Sequence, residues 1–119
     1  MFNSPQDVHK KVLGKKGEKL VCKYVKKQGM KIVEANYRTP FGEADLIAID
    51  KDEIVFIEVK TRTSTAFGTP AEAVGKTKQE RYYKIAQFYG MKHGEEPNAR
   101  FDVAQVYADG TIEYLKNAF

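Results

Sequence analysis

Apolar positions recur along this chain with two different periods, and the alternation between the two divides it into seven segments. Val12, Leu13, Leu20, Val21, Tyr24 and Val25 follow a helical period. Ser4-Pro5-Gln6-Asp7 ahead of them has the grammar of a helix start: a serine cap, proline at the first helical position and an acid at the third. Gly14 and Gly17 weaken the first half, which predicts a firm helix only from about Lys15 or Lys16, and Gly29 is a natural stop. Residues 30–37 (MKIVEANY), 42–50 (GEADLIAID) and 54–61 (IVFIEVKT) are rich in β-branched residues and predict three strands. They are separated by Thr39-Pro40-Phe41-Gly42 and by Lys51-Asp52-Glu53. Arg62 to Gly68 is polar and reads as a loop. Thr69-Pro70-Ala71-Glu72 then opens a second helical segment with Val74, Tyr82, Tyr83, Ile85, Ala86, Phe88 and Tyr89, closed by Gly90 or Gly94. Residues 100–107 (RFDVAQVY) and 111–115 (TIEYL) predict another hairpin across Ala108-Asp109-Gly110. The order α-β-β-β-α-β-β predicts an α/β fold, a central mixed β-sheet flanked by helices, in one domain spanning residues 1–119.

Register sharpens the picture. The turn between the second and third strands is centred between Lys51 and Asp52, and any even-length loop about that centre pairs Ile49 with Ile54 and Ile47 with Phe56. Asp45 then faces Glu58, and Glu43 faces Lys60. Strict alternation puts these eight side chains on one side, and Ala44, Leu46, Ala48, Val55, Ile57 and Val59 on the other. Both faces are apolar near the turn, so the hairpin reads as central and covered on both sides. An odd loop length would instead send Asp45 and Glu58 to opposite faces.

Two carboxylates directly opposite each other, with Cβ atoms roughly 5 Å apart, are destabilising unless something lies between them. Such a pair must raise a pKa, capture a cation or recruit a base. Lys60 can compensate one charge, whereas a hard divalent ion compensates both and completes its octahedron with waters and a phosphate. Val59 offers a backbone C=O beside the pair. Glu18 would add a further carboxylate if the first helix packs over the polar end of the hairpin. Glu43, opposite Lys60, reads as a supporting group that orients the lysine as much as it binds metal. The bland alternative is a solvated ion-pair cluster at strand ends.

Composition bounds these readings. The chain has 119 residues with 20 Lys+Arg against 16 Asp+Glu, a net charge of +4 that is compatible with nucleic acid but does not demand it. One cysteine, Cys22, excludes an intramolecular disulfide framework, and two separated histidines give no zinc pattern. No apolar run approaches a membrane span and no secretory leader is visible, so a cytoplasmic protein with no membrane partner is expected. Lys15, Lys19 and Lys23 form an i, i+4 row suited to phosphates, and Lys76 and Lys78 begin the second helix. Arg38 and Arg62 cluster about the hairpin. Contacts of this kind position a nucleic acid without reading its sequence. Tyr37 and Phe67 stand as loop candidates for substrate contact, Tyr82 and Tyr83 read as core or dimer surface, and Asp102 reads as the structural partner of an arginine.

These residues resemble a known family. Residues 42–47 (GEADLI) followed by 55–62 (VFIEVKTR) look like the signature of the bacterial YraN family. The likeness extends to Gly17-Glu18, Asn36-Tyr37-Arg38, Phe67-Gly68-Thr69-Pro70 and Arg100-Phe101-Asp102-Val103. That family is similar to the PD-(D/E)xK nuclease superfamily, particularly archaeal Holliday-junction resolvases, although Ala44 replaces the nominal proline. The resemblance implies a restriction-endonuclease-like three-layer core, Mg²⁺ or Mn²⁺ dependence, and a site of Glu18, Asp45, Glu58 and Lys60. The expected activity is metal-dependent endonuclease-like hydrolysis of phosphodiester bonds in DNA, branched or damaged DNA included. A catalytically silent nucleic-acid-binding or interaction module stands as the alternative. Resolvase-like proteins cut symmetrically as dimers, which keeps a homodimer open, but no segment identifies its face.

Overall fold

The computed structural model describes residues 5–62, 74–94 and 98–119, the side chains of residues 5–14 excepted. Its elements follow the expected order: α1 (Pro5–Lys27), β1 (Lys31–Thr39), β2 (Gly42–Asp50), β3 (Glu53–Arg62), α2 (Lys76–His93), β4 (Ala99–Tyr107) and β5 (Ile112–Leu115). The five strands lie in sequence order in one mixed sheet. Only β3 and β4 run parallel, joined by the crossover that contains α2, and the remaining neighbours are antiparallel. None of the helices among the described residues is long and apolar enough to cross a membrane.

Each sheet face is covered by its own core, giving three layers. Val21 and Val25 of α1 bury against Leu46, Ala48, Val55, Ile57 and Ala104. On the opposite face Tyr82, Ile85, Ala86 and Tyr89 of α2 pack on Ile47 and Phe56. The alternation of β2 and β3 is what divides these residues between the two cores.

Two helix starts differ from expectation. α1 is helical from Pro5, earlier than the glycine penalty suggests. Gly17 is tolerated because it is a point of close approach: a Cβ there would stand 2.5 Å from Thr61 Cγ2 of β3. The expected helix start at Thr69-Pro70 lies outside the described residues, as do Phe67 and the Ser4 cap, and α2 begins at Lys76 with Gly75 at the N-cap. Gly94, left-handed at φ 73°, closes α2 as a C-cap.

The turn end of the β2–β3 hairpin is fastened by one arginine. Arg100 Nη2 donates to Asp102 at 2.9 Å, and Nη1 donates to Asp50 at 2.8 Å and Glu53 at 3.2 Å. Asp102, fully buried, also accepts from Tyr114 Oη at 2.5 Å and from the Asn117 N–H at 2.9 Å. Four segments meet on this pair, as expected of a structural Asp102. Arg100→Met leaves Asp102 buried without its cation and should cost about 3–5 kcal/mol, read as a lowered urea midpoint. A loss under about 1 kcal/mol, typical of exposed ion pairs, would refute a fastening role.

Candidate functional site

The β2–β3 register matches the even-loop expectation from Asp50↔Glu53 through Leu46↔Ile57. There the ladder stops. Beyond it the Asp45 side chain takes the place of a backbone acceptor, and the Val59 N–H donates to Asp45 Oδ2 at 2.8 Å. Within one strand residue the N–H and C=O point to the same neighbour, so the Val59 carbonyl faces this gap too.

Asp45 and Glu58 come together as expected. Burial first, and then the Glu58 charge, push the Asp45 carboxyl up to about 7. Glu58 is almost fully buried and is held from α2: Tyr82 Oη donates to Oε2 at 2.6 Å and the Lys78 ammonium bonds Oε1. The same burial and the two carboxylates raise the Tyr82 hydroxyl pKa, keeping it a donor. Lys78 was expected to contact phosphate and Tyr82 read as core or dimer surface, so their bonds to Glu58 were missed. Their i, i+4 spacing puts both on one helix face, but only the docking of α2 shows that this face meets Glu58. Lys78 is therefore committed to a carboxylate here. Lys60, two residues beyond Glu58 on the same face of β3, makes no ion pair among the described residues.

Glu43 departs from its expected place opposite Lys60. It pairs instead with Arg38 across β1, at 3.8 Å on an exposed surface. The reason lies at Asn36, whose φ of 53° is left-handed. The pairs Ala35↔Leu46 and Tyr37↔Ala44 flank Asn36 and Asp45. Across that step the faces exchange: Leu46 packs under α1, whereas Ala44 and Tyr37 pack under α2. Tyr37 thereby packs tilted against Phe88 and edge-on against Tyr89 from within a strand, so it is not a loop contact. Glu43 turns toward α1 and Glu18. With its nitrogen facing the two carboxylates, the Asn36 amide donates to Glu18 at 3.2 Å and to Glu43 at 2.8 Å. Burial raises the Glu18 carboxyl, with Glu43 adding to the effect, and the Glu18 charge in turn acts on Asp45. α1 does bring Glu18 to the polar end of the hairpin.

Among the described residues no group of three His, Cys, Asp or Glu side chains is close enough to hold an ion by itself. The donor set is two facing carboxylates and a backbone carbonyl. That suits Mg²⁺ or Mn²⁺, which bind through one or two carboxylates and share the rest of the shell with water and phosphate, and does not suit structural zinc. Each Glu58 oxygen keeps a second lone pair beyond its present bond.

The remaining candidates lie on the surface. Lys15, Lys19, Lys23 and Lys76 are exposed, and Arg62 is half-buried. Burial pushes the Cys22 thiol up, as fits a packing residue.

A profile of the uncharacterised protein family UPF0102 matches residues 17–106. The chain belongs to this family. It is the YraN family that the motifs resemble. The UPF0102 protein of Caldanaerobacter subterraneus is 44% identical, with 94% of this chain and 98% of the relative covered. That of Thermodesulfovibrio yellowstonii is 49% identical over 90% and 95%, and that of Syntrophus aciditrophicus 48% over 89% and 87%. The UPF0102 match begins at Gly17 and takes in Glu18, Asp45, Glu58 and Lys60.

Two measurements check this geometry. Between pH 3.8 and about 7 the folded protein keeps a proton on Asp45 that the unfolded chain releases. Metal-free thermal stability should therefore fall as pH rises through that window, and Asp45→Asn should remove the Asp45 share of the slope. Identical pH profiles for the two proteins would contradict the buried pair. At Asn36, Ala is expected to cost about 1–2 kcal/mol for the left-handed backbone and Gly much less; equal losses would mean that the turn is not what Asn36 provides.

Proposed function

We propose that the protein is a metal-dependent phosphodiesterase of the endonuclease type, acting on DNA, branched or damaged DNA included. One observation carries this reading: Asp45 and Glu58 stand side by side in a buried position, where burial, and then the Glu58 charge, raise the Asp45 pKa to about 7. A fold does not hold two carboxylates this way for stability, since burying like charges costs free energy.

Asp45, Glu58 and the Val59 carbonyl would hold Mg²⁺ or Mn²⁺, with Glu18 in reach of the same end. When bound, the ion supplies polarisation of a phosphate oxygen and a lowered pKa for water. The protein's own groups do the rest. The bond from the Val59 N–H fixes Asp45 Oδ2 beside Glu58. Tyr82 and Lys78 lock the Glu58 carboxylate against rotation. Lys60, which makes no ion pair among the described residues, would orient the attacking water or neutralise the charge that grows on the phosphorus oxygens. Because such contacts address the backbone, selectivity would follow the shape of the DNA.

A silent nucleic-acid-binding module is the second reading. The engagement of both Glu58 oxygens by Lys78 and Tyr82 favours it.

The test is cleavage of flap, fork and four-way-junction DNA with Mg²⁺ or Mn²⁺. Wild type should cut, and Lys60→Ala should lose at least about a hundredfold in rate while still binding Mn²⁺, as expected for a group that stabilises transition-state charge. Calorimetry should show Mn²⁺ binding lost in Asp45→Ala and in Glu58→Ala. Equal metal affinity in all three proteins would sink the site; DNA binding with metal binding but no cutting would leave the silent module.

A further inference from the structure

The parallel strands β3 and β4 end side by side, and α1 lies across one face of those ends. Between them opens a cleft of about 440 Å³ whose lining includes Gly17, Leu20 and Val106, with Lys16 and Arg62 among its polar residues. Folds with parallel strands bind ligands beyond the carboxyl ends of those strands. The two cations of this cleft come from different elements, the helix and β3.

Arg62 is held in place. Its Nε donates to Gln105 Oε1 at 2.7 Å. Gln105 is only 1% exposed, and among the described residues its amide nitrogen has no hydrogen-bond partner. A buried amide with one group unsatisfied is a costly core residue. It makes sense where its carbonyl fixes an arginine and its nitrogen awaits an acceptor that the described residues do not supply. In the β3–β4 register Gln105 lies beside Lys60, so this spare donor stands between the two cations of β3. The carboxylate that also lines the cleft, Asp109, accepts from the Thr111 N–H at 2.9 Å. Arg62 is four residues past Glu58, about 13 Å along the strand at ~3.3 Å per residue. A chain held at Asp45 and Glu58 would extend past this point.

We propose that the cleft binds a backbone phosphate of the nucleic-acid strand through Lys16 and Arg62, with Gln105 as the residue that positions Arg62. The proposal rests on the reading of the protein as one that acts on nucleic acid, and extends it from the bond to be cut to a neighbouring phosphate.

The experiment is fluorescence anisotropy with a labelled four-way-junction DNA, without divalent metal, across a salt series. Lys16→Met and Arg62→Met should each weaken binding about tenfold, as for a charge-assisted hydrogen bond. Each should also lower the slope of log affinity against log salt by about one. Lys31→Met, at the start of β1, is the charge-matched control and should match wild type. Gln105→Met should weaken binding in wild type and have no further effect in Arg62→Met, because it acts through the arginine. If Gln105→Met does not fold, the side-chain amide resonance of Gln105 serves instead, and should shift when DNA is added to wild type but not to Arg62→Met.

Wild-type affinity and slope in both cation variants would overturn the cleft; if Asp45→Ala still abolishes Mn²⁺ binding, the carboxylate site survives that result. Weakened DNA binding in the cation variants, alongside unchanged Mn²⁺ affinity in Asp45→Ala, would keep the cleft and sink the phosphodiesterase. Equal loss from Gln105→Met in both backgrounds would remove its positioning role. A wild type that binds no DNA overturns cleft and phosphodiesterase together.

Discussion

Everything at the site depends on one hydrogen bond, from the Val59 N–H to the Asp45 carboxylate. A strand residue in the middle of a sheet normally spends its N–H on a neighbour's carbonyl, and an unmet donor there costs free energy. By meeting that donor with a side chain, β2 can part from β3 without leaving the N–H unsatisfied. The gap that results is lined by acceptors: the second oxygen of Asp45, the Glu58 carboxylate and the Val59 carbonyl. A continuous ladder would have consumed the backbone members of that set. On the proposed function, the parting is what would make this hairpin a site for a cation or a phosphate.

Two further departures from regular structure support it. The left-handed Asn36 lies across from Asp45, and the exchange of faces there carries Glu43 away from Lys60 and toward Glu18. Gly17 allows α1 to close on Thr61, which brings the adjacent Glu18 down toward the end of the hairpin. Neither residue would be chosen for helix or strand propensity. Each is explained by what its neighbour must reach.

The limits of the sequence follow from the same features. Element order and the Asp45–Glu58 pairing were legible because they rest on local period and on a short turn, both written in contiguous residues. The alternation rule failed at Ala44 and Glu43 because a single left-handed residue on the neighbouring strand resets the facing, and Asn36 carries no unambiguous mark of that in the chain. Tyr82 read as core, and is buried, but its hydroxyl belongs to the site. That role depends on where α2 docks, 24 residues further along the chain from Glu58, and pattern alone does not fix such a contact. Gly17 was read as a weakness of the helix when it is the condition for close packing.

The two ends of β2 show that this protein can neutralise a buried acid when stability is the need. At the turn end, the Arg100 guanidinium holds the Asp50 carboxyl below its usual range, and Asp102 beside it is surrounded by donors. At the other end, Asp45 is pushed up to about 7, and Lys78 is spent on Glu58. Four residues lie between a satisfied carboxylate and a frustrated one on a single strand. Burial, and then the Glu58 charge, raise the one, while the arginine holds the other low. On the proposed function, strain kept at one place and relieved at another marks where a ligand would supply the missing charge. The compensating partner at Asp45 and Glu58 would be cationic, and Lys60, without an ion pair among the described residues, would meet an anion. A divalent ion carrying a phosphate diester would answer both demands at once.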